Sequence, residues 1–332
     1  LIGIGLGGAF YANMDEKRPA TLRGFAWTCL LEAAFIAIPF ALGDRVALFA
    51  LLLRPLGNLG FWGFVLSWGA VCGLVVFPAS FVSGVQFPLL IALLGKGNRE
   101  VGRQIGLTYG WNTIGAIIGS LAGGFGLLPL LGATGSWRLV SFVLAALGTS
   151  ALALATIRDK VWARLVPQAL LAAAVVALLR ADGPTAAWRH SPIGAGRVSV
   201  SQVANPNTTK GWINDRRRTL QWQADGVESS VGLVAEGGGG YAFVVNGKID
   251  GNARSDAPTQ AMSGVLGAIL HPNPKNSLVV GLGTGSSAGW LGAIPLMESV
   301  DVIELEPAIL RVARDCAPVN QNVLDNPKVH VT

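Results

Sequence analysis

Residues Ser277 to Gly289 read SLVVGLGTGSSAG, an apolar run that passes into alternating glycines. Leu278 to Val280 has the composition of a short strand buried in a parallel sheet. Gly281, Gly283 and Gly285 follow, before a segment that can form a helix. Glycine allows the main chain to approach a ligand closely and to adopt backbone angles that a side chain forbids. The stretch therefore predicts a strand, a ligand-binding loop and a helix, in that order.

A second strand with an acidic end follows this loop. Val300 to Leu305 reads VDVIEL, and Glu304 stands about twenty residues beyond the loop, where an acid at the end of the neighbouring strand can bind both hydroxyls of a ribose. A dinucleotide fingerprint needs a glycine at the position of Ser286, so the spacing favours an S-adenosyl-type transferase over NAD binding. The alternative is that Glu304 caps the helix that begins after Pro307.

The chain upstream has the composition of a membrane protein. Of its 332 residues 51% are hydrophobic and 13% are charged, with a mean hydropathy of +0.50. We expect a multi-pass helical membrane domain over residues 1–181, in the inner membrane of a bacterium. Candidate spans cover residues 25–42, 61–94, 107–131, 139–155 and 161–179, and residues 1–12 would end an earlier span. The sequence is expected to be a fragment at both ends.

The run at residues 61–94 is too long for one crossing. Pro78 or Pro88 is expected to kink it or to split it into a span and a half-helix. Residues 46–53 are too few to cross a bilayer, so they are expected to lie at its interface.

Two features within the apolar segments carry further predictions. The small residues Gly115, Gly119, Gly123 and Gly124 predict a face where helices approach closely, with a substrate path as the alternative. Glu32 is a carboxylate inside a predicted span, where it is expected to snorkel, to pair with another helix, or to face a transport pathway.

The net charge of +6 lies mainly in short loops between apolar runs, which is typical of membrane orientation and argues against nucleic-acid binding. The basic loops are expected to be cytoplasmic, which sends the segment after Leu179 to the outer face. An S-adenosyl donor is cytoplasmic, which conflicts with this placement. The side of the membrane on which the soluble region lies therefore stays open. These loops contain Lys17, Arg18, Arg23, Lys96, Arg99, Arg103, Arg158, Lys160 and Arg164. Trp62, Trp68, Trp162 and Trp188 are expected to form an interfacial belt.

From Asp182 the chain has the texture of a soluble protein. Residues 182–257 are expected to form a linker and a small antiparallel β-domain, with strands at 197–203, 230–236 and 241–245 and a tight turn at Asn246-Gly247. A helix at 259–270 then opens residues 258–332, the start of a Rossmann-like α/β domain of the S-adenosyl transferase type.

The order of these elements resembles the spermidine synthase family of polyamine aminopropyltransferases, over about 225–332. The matching features are the Asn246-Gly247 turn, Asp256, Thr259-Gln260, the HPNP loop from His271, the glycine loop and Glu304. The phrase VGRQIGLTYGWNTIGAIIGSLAGGFGLLPLLG is similar to the multi-span region fused to such domains in some bacterial proteins.

The resemblance implies transfer of an aminopropyl group from decarboxylated S-adenosylmethionine to a polyamine such as putrescine, without a metal. Gly281, Gly283, Thr284, Gly285, Glu304 and Gln260 would bind the donor, and Asp256 is the candidate on the substrate side. The family's catalytic Asp is expected beyond Thr332, so the chain as printed is expected to be inactive.

Three positions depart from the family pattern. Thr284 stands where the family has an Asp that binds the donor's amine, Thr259 replaces a Tyr, and Ser229 replaces a donor-side Gln. A hydroxyl cannot match the attraction of a carboxylate for an ammonium group. The identity of the donor therefore stays open.

Two other functions remain as alternatives. One is another S-adenosylmethionine-dependent transferase, such as a methyltransferase. The other is a transporter or sensor that binds a nucleoside or polyamine without chemistry. The expected partners are a polyamine, the lipid bilayer and a further copy of the chain.

Overall fold

The computed structural model describes residues 1–14, 19–95, 101–160, 162–193 and 198–332. Lys17, Arg18, Lys96, Arg99, Val161 and Arg197 of the predicted loops and segments lie outside the described residues. The chain divides into two compact units. The first comprises Leu1–Leu127 and Ala133–Thr185, and the second comprises Leu128–Gly132 and Ala186–Thr332.

The N-terminal region is helical. Its helices are α1 (Ile2–Ala12), α2 (Leu22–Leu42), α3 (Asp44–Leu53), α4 (Phe61–Val75), α5 (Phe77–Leu94), α6 (Val101–Ala122), α7 (Leu128–Asp159) and α8 (Val166–Leu179). Short 3-10 helices lie at Arg54–Leu59 and Trp162–Leu165, and a π-helical turn lies at Gly123–Leu127. Gly132 has φ of 67° and ψ of 172°, so α7 is kinked there.

Three described helical runs are long and apolar enough to cross a membrane: Leu22–Leu42, Phe77–Leu94 and the 58-residue run Gly102–Asp159. Many of their large apolar side chains are exposed, including Trp111 and Leu130 at 70% and 81%. Small side chains form the core where α2, α7 and α8 pack together, as at Ala33, Ala37 and Ala145. The N-terminal region is thus a set of apolar helices.

The predicted 61–94 run splits into two helices. The break falls at Val76, between α4 and α5. Pro78 lies in the first turn of α5, where a missing N–H removes no helical hydrogen bond. Pro88 remains inside α5. The predicted interfacial segment 46–53 lies within the helix α3.

The close helix approach occurs at different glycines from those predicted. A methyl group on Gly7 of α1 would overlap the carbonyl of Phe81 in α5, and one on Gly84 would overlap the carbonyl of Ile4. Side chains added at Gly115, Gly119, Gly123 or Gly124 would meet nothing within 4 Å among the described residues. None of the described residues lies within 4 Å of these positions, so the face predicted there stays a prediction.

Glu32 pairs with another helix. The Gln86 side-chain amide on α5 donates to Glu32 Oε2 at 2.6 Å. The helix-pairing alternative for this carboxylate is thereby confirmed.

The second unit is a mixture of helices and strands. Its helices are α9 (Ala186–Arg189), α10 (Pro206–Thr219), α11 (Ala257–Leu270), α12 (Ser286–Gly292) and α13 (Ala308–Asp315). Its strands are β1 (Leu220–Asp225), β2 (Ser230–Glu236), β3 (Gly240–Val245), β4 (Lys248–Asn252), β5 (Asn276–Val280), β6 (Ser299–Ile303) and β7 (Val329–Val331). Strands β1 to β4 form an antiparallel sheet in sequence order, and β5, β6 and β7 form a parallel sheet in that order.

The antiparallel sheet follows from its turn residues. Asn246 and Gly247 have φ of 49° and 81°, the left-handed angles that a two-residue hairpin requires, and they join β3 to β4. The predicted strand at 230–236 is β2, and the one at 241–245 is the main part of β3. These predictions are confirmed.

The strand predicted at 197–203 is wrong in its described part, because Val200–Val203 is a 3-10 helix. Ser201 N–H donates to Ser199 Oγ, and such local bonds compete with strand pairing. The sequence analysis also missed α10, which begins with a capping box formed by Asn205 and Thr208. Trp188 is not interfacial: it is 4% exposed and stacks on Trp212 of α10 at 4.6 Å between ring centroids.

One core joins the two sheets of the second unit. Leu233 and Phe243 of the antiparallel sheet are buried with Val300 and Val302 of β6 and Val312 of α13. The other face of the parallel sheet is exposed among the described residues, contrary to the prediction of strands buried on both faces. Leu278, Val280, Ile303 and Leu305 on that face are 62%, 79%, 45% and 69% exposed.

Candidate functional site

The glycine loop connects β5 to α12. Gly281, Gly283 and Gly285 have φ of 86°, 56° and 80°, in the left-handed region where glycine is favoured. Gly281 N–H donates to the carbonyl of Ile303 at 2.8 Å, which fixes the loop to the end of β6. The loop therefore begins at the carboxyl edge of the parallel sheet, where ligands bind in open α/β folds.

Glu304 follows β6 directly, and its carboxylate turns onto this loop. Its Oε2 accepts from Leu282 N–H at 2.7 Å, and its Oε1 accepts from Glu306 N–H at 2.9 Å. A carboxylate has about four acceptor positions, so capacity for ligand hydroxyls remains on both oxygens. The cap of α13 comes instead from Glu306, whose Oε1 accepts from Ala308 N–H at 3.2 Å.

Gln260 and Thr284 meet across the start of the loop. The Thr284 hydroxyl donates to Gln260 Oε1 at 2.5 Å, and Ser287 Oγ donates to the Gln260 carbonyl at 2.7 Å. Thr284 is 4% exposed. The Gln260 amide nitrogen lies 3.5 Å from the carbonyl of Asn252, at the limit of a hydrogen bond. The N–H groups of the Gln260 side-chain amide therefore remain available to a ligand.

Asp256, Thr259 and Ser229 are the other positions named in the sequence analysis, and each has its own surroundings. Asp256, at the start of α11, is exposed and accepts from Asn252 N–H through Oδ2 at 2.8 Å. Thr259 is exposed on α11. Ser229 lies in the β1–β2 turn, where its N–H donates to Glu306 at 3.3 Å. The other oxygen of Asp256, Oδ1, accepts from the Ser255 hydroxyl at 3.4 Å.

Two supporting residues escaped the sequence analysis. Asn320 is fully buried, and its amide donates to the carbonyls of Thr284 at 2.8 Å and Ala313 at 2.6 Å. Glu306 is 5% exposed and accepts from the N–H groups of Glu228 and Ser229 in the β1–β2 turn. Asn320 holds the glycine loop to α13. The signal for Glu306 was its place two residues before the helix.

Cys316 lies beside this region and is not a nucleophile at neutral pH. Burial, together with the smaller effect of the nearby Asp315 carboxylate, raises the pKa of its thiol to about 11. The thiolate is the reactive form of cysteine, and little of it exists at pH 7. The site thus offers main-chain groups, Gln260 and two carboxylates as its chemical groups.

Sequence comparison links the chain to named enzymes. It is 30% identical over 92 residues to the polyamine aminopropyltransferase of Streptococcus pneumoniae, covering 28% of this chain and 32% of the relative. It is 32% identical over 90 residues to the spermidine synthase of Dictyostelium discoideum, covering 27% and 32%. It is 28% identical over 254 residues to the polyamine aminopropyltransferase of Mycobacterium tuberculosis, covering 75% and 44%. No family model matches.

The 254-residue match is longer than the segment Ala186–Thr332, so it includes part of the helical region. A solved spermidine synthase in complex with the transition state analogue AdoDATO aligns with 34% of the chain and 39% of its own, at 17% identity and a TM-score of 0.32. The chain spans from about a third to under half of the length of these curated relatives. The resemblance noted in the sequence is confirmed, and the chain is a relative of the spermidine synthase family of polyamine aminopropyltransferases.

Proposed function

We propose that the complete protein is a membrane-anchored aminopropyltransferase-like enzyme that uses decarboxylated S-adenosylmethionine and a polyamine such as putrescine. The observation that carries this proposal is the contact of Glu304 with the glycine loop. The relatives named polyamine aminopropyltransferase and spermidine synthase support the reaction class.

The residues have separate roles in this proposal. Gly281, Gly283 and Gly285 allow the donor to lie against the main chain. Glu304 accepts the ribose hydroxyls, and the Gln260 amide donates to the nucleoside. Asp256 attracts the ammonium group of the polyamine.

The reaction itself needs positioning more than strong acid–base chemistry. The amine nitrogen attacks the carbon next to the sulfonium, the carbon–sulfur bond breaks, and its electron pair neutralises the sulfur. The amine then loses a proton to a carboxylate or to water. Because the sulfonium is already a good leaving group, in-line alignment and desolvation of the amine provide most of the rate gain.

The apolar helices support anchoring in a membrane. Three helical runs have the required length and composition, and relatedness to the M. tuberculosis enzyme extends into this region. We assign the bacterial inner membrane as the location.

Thr284 favours a second candidate, a transferase that uses ordinary S-adenosylmethionine. Its hydroxyl is buried and bonded to Gln260, so this position carries no negative charge that would repel the carboxylate of ordinary S-adenosylmethionine. A methyltransferase would use the same loop and Glu304.

Calorimetry on the full-length protein in detergent tests both candidates. We expect decarboxylated S-adenosylmethionine to bind, and Glu304→Gln to weaken it by about 10- to 100-fold, because hydrogen bonds to a charged group are lost. The control is Glu298→Gln, an exposed acid paired with Lys275.

If Glu304→Gln and the parent bind decarboxylated S-adenosylmethionine with equal affinity, Glu304 does not bind the ribose hydroxyls. Preference for ordinary S-adenosylmethionine would favour the second candidate. Binding of the decarboxylated donor without turnover of putrescine would contradict the enzymatic proposal and favour a binding module.

A further inference from the structure

The turn that joins β4 to α11, residues 253–256, is shaped by the residue before it. The side-chain oxygen of Asn252 accepts from the backbone N–H groups of Arg254 at 2.8 Å and Ser255 at 2.9 Å. An asparagine that binds the backbone two and three residues further on stabilises a turn in the same way as it caps a helix. The path of the chain into α11 therefore depends on this one side chain.

The backbone of Asn252 contacts both side chains that the start of α11 contributes to the candidate site. Its N–H donates to Oδ2 of Asp256 at 2.8 Å, and its carbonyl lies 3.5 Å from the side-chain nitrogen of Gln260. The backbone N–H of Gln260 donates to the carbonyl of Asp256 at 2.9 Å, so the first turn of α11 links these two residues as well. A displacement of the Asn252 peptide would therefore move both side chains.

The carboxylate of Glu236 determines which way the Asn252 amide faces. Asn252 is 6% exposed, and its side-chain nitrogen donates to Oε2 of Glu236 at the end of β2. The reverse orientation would set the amide N–H groups against the N–H groups of the turn, and the amide oxygen against the carboxylate. Buried polar groups without a partner are costly, so Glu236 holds Asn252 in the orientation that the turn requires.

We propose that Asn252 is a positioning residue, oriented by Glu236, that places Gln260 for the donor and Asp256 for the polyamine. This role rests on the proposed function, in which the Gln260 amide binds the nucleoside and the Asp256 carboxylate attracts the ammonium group. Asn252 and Glu236 act through the 253–256 turn and do not touch a reactant. The pair thereby connects the strand β2 to the start of α11.

The variant Asn252→Asp removes the bond to Glu236 and keeps an acceptor oxygen for the turn. Its second carboxylate oxygen faces Glu236, where like charges repel. We expect calorimetry on the full-length protein in detergent to show about tenfold weaker binding of decarboxylated S-adenosylmethionine. The KM for putrescine should rise by more than kcat falls, because Asp256 binds the polyamine. A smaller folded fraction would instead lower the apparent kcat and leave KM unchanged.

Exchange of the two side chains is the sharper test. In the double variant Asn252→Asp, Glu236→Gln, the amide at position 236 donates to the carboxylate at position 252, so the hydrogen bond returns with its direction reversed. We expect donor affinity and the KM for putrescine to return to within about threefold of the parent, and Glu236→Gln alone completes the double-mutant cycle. The matched control Asn214→Asp changes an exposed residue of α10 and is expected to behave as the parent does.

Melting temperatures of the variants separate lost positioning from lost folding. If Asn252→Asp does not fold, Asn252→Ser replaces it, because a hydroxyl still accepts from the turn but is too short to bond Glu236, and the same loss of donor affinity is expected. A parent that binds no S-adenosyl donor contradicts the proposed function and this role with it. With a parent that binds, the role alone is overturned if Asn252→Asp matches the parent in donor affinity and KM, or if the double variant stays as weak as Asn252→Asp.

Discussion

The carboxylate of Glu306 connects two parts of the second unit at the scale of a single residue. It accepts from backbone N–H groups of the β1–β2 turn through one oxygen and from the first turn of α13 through the other. A methyl group on Gly226 would overlap this carboxylate, so the turn lies directly against it. Glu306 therefore sets where the antiparallel sheet meets the end of β6.

We predict that Glu306→Gln destabilises this junction by about 1–3 kcal/mol, because an amide NH₂ replaces one of two acceptor oxygens and faces backbone donors. Hydrogen exchange of the β1–β2 peptide in the full-length protein measures the local opening free energy. Glu228→Gln changes an exposed carboxylate in the same turn and is the control. Unchanged exchange in Glu306→Gln would contradict the role assigned to this residue.

The helix α12 depends on close backbone packing at the scale of an element. Gly289 lies against the carbonyl oxygen of Asn320, and a methyl group there would overlap it. Asn320 in turn holds the carbonyl of Thr284 in the glycine loop. The loop is thus braced by a short helix in which five of seven residues are Ser, Ala or Gly.

Gly289→Ala is expected to destabilise the β5–α12 region by about 1–3 kcal/mol or more, because a backbone atom cannot move aside as a side chain can. Gly267→Ala is the matched control: it is also a helical glycine, on α11, with nothing within 4 Å of the added methyl. It should be neutral or stabilising by up to about 1 kcal/mol. Hydrogen exchange of the peptides from both helices compares the two variants, and equal protection would contradict the packing argument.

Sequence patterns predicted the elements whose signals are local. The Asn246-Gly247 turn and the alternating β2 predicted the hairpins, and the apolar run before the glycines predicted β5. Segment 197–203 was misread because its alternation was real but its serines bond locally. In the candidate site the spacing of Glu304 from the loop was visible, whereas the contacts of Thr284 with Gln260 and of Asn320 with the loop arise from tertiary packing between distant segments.

At the scale of the whole molecule, the length of α8 bears on which side of the membrane the second unit occupies. Its 14 residues span about 21 Å, less than the roughly 30 Å of a bilayer core. The basic residues before and after it, Arg158 and Arg180, would then lie on one side. If the basic loops are cytoplasmic, we predict that both ends of α8, and with them the second unit, face the cytoplasm, unlike the outer face that alternation of loop charge predicts.

We predict that a cysteine at Arg158 and one at Arg217 are both protected from a membrane-impermeant maleimide in intact cells and labelled after permeabilisation. The background carries Cys72→Ser, since Cys29 and Cys316 are buried. A cysteine at Asn58, in the segment between α3 and α4, should be labelled in intact cells and is the positive control. Labelling of the cysteine at position 217 in intact cells would place the second unit outside the cytoplasm, where a cytoplasmic donor cannot reach it.

The uncovered apolar face of the parallel sheet affects how this protein behaves in solution. Parallel sheets are ordinarily shielded by a layer on each side, yet among the described residues Leu278, Val280 and Ile303 are exposed on one face, where the charged Asp301 pairs with Leu278. An exposed apolar surface promotes aggregation at high protein concentration. For a purified sample of the residues printed above, we therefore expect this face, in addition to the apolar helices, to promote association between molecules.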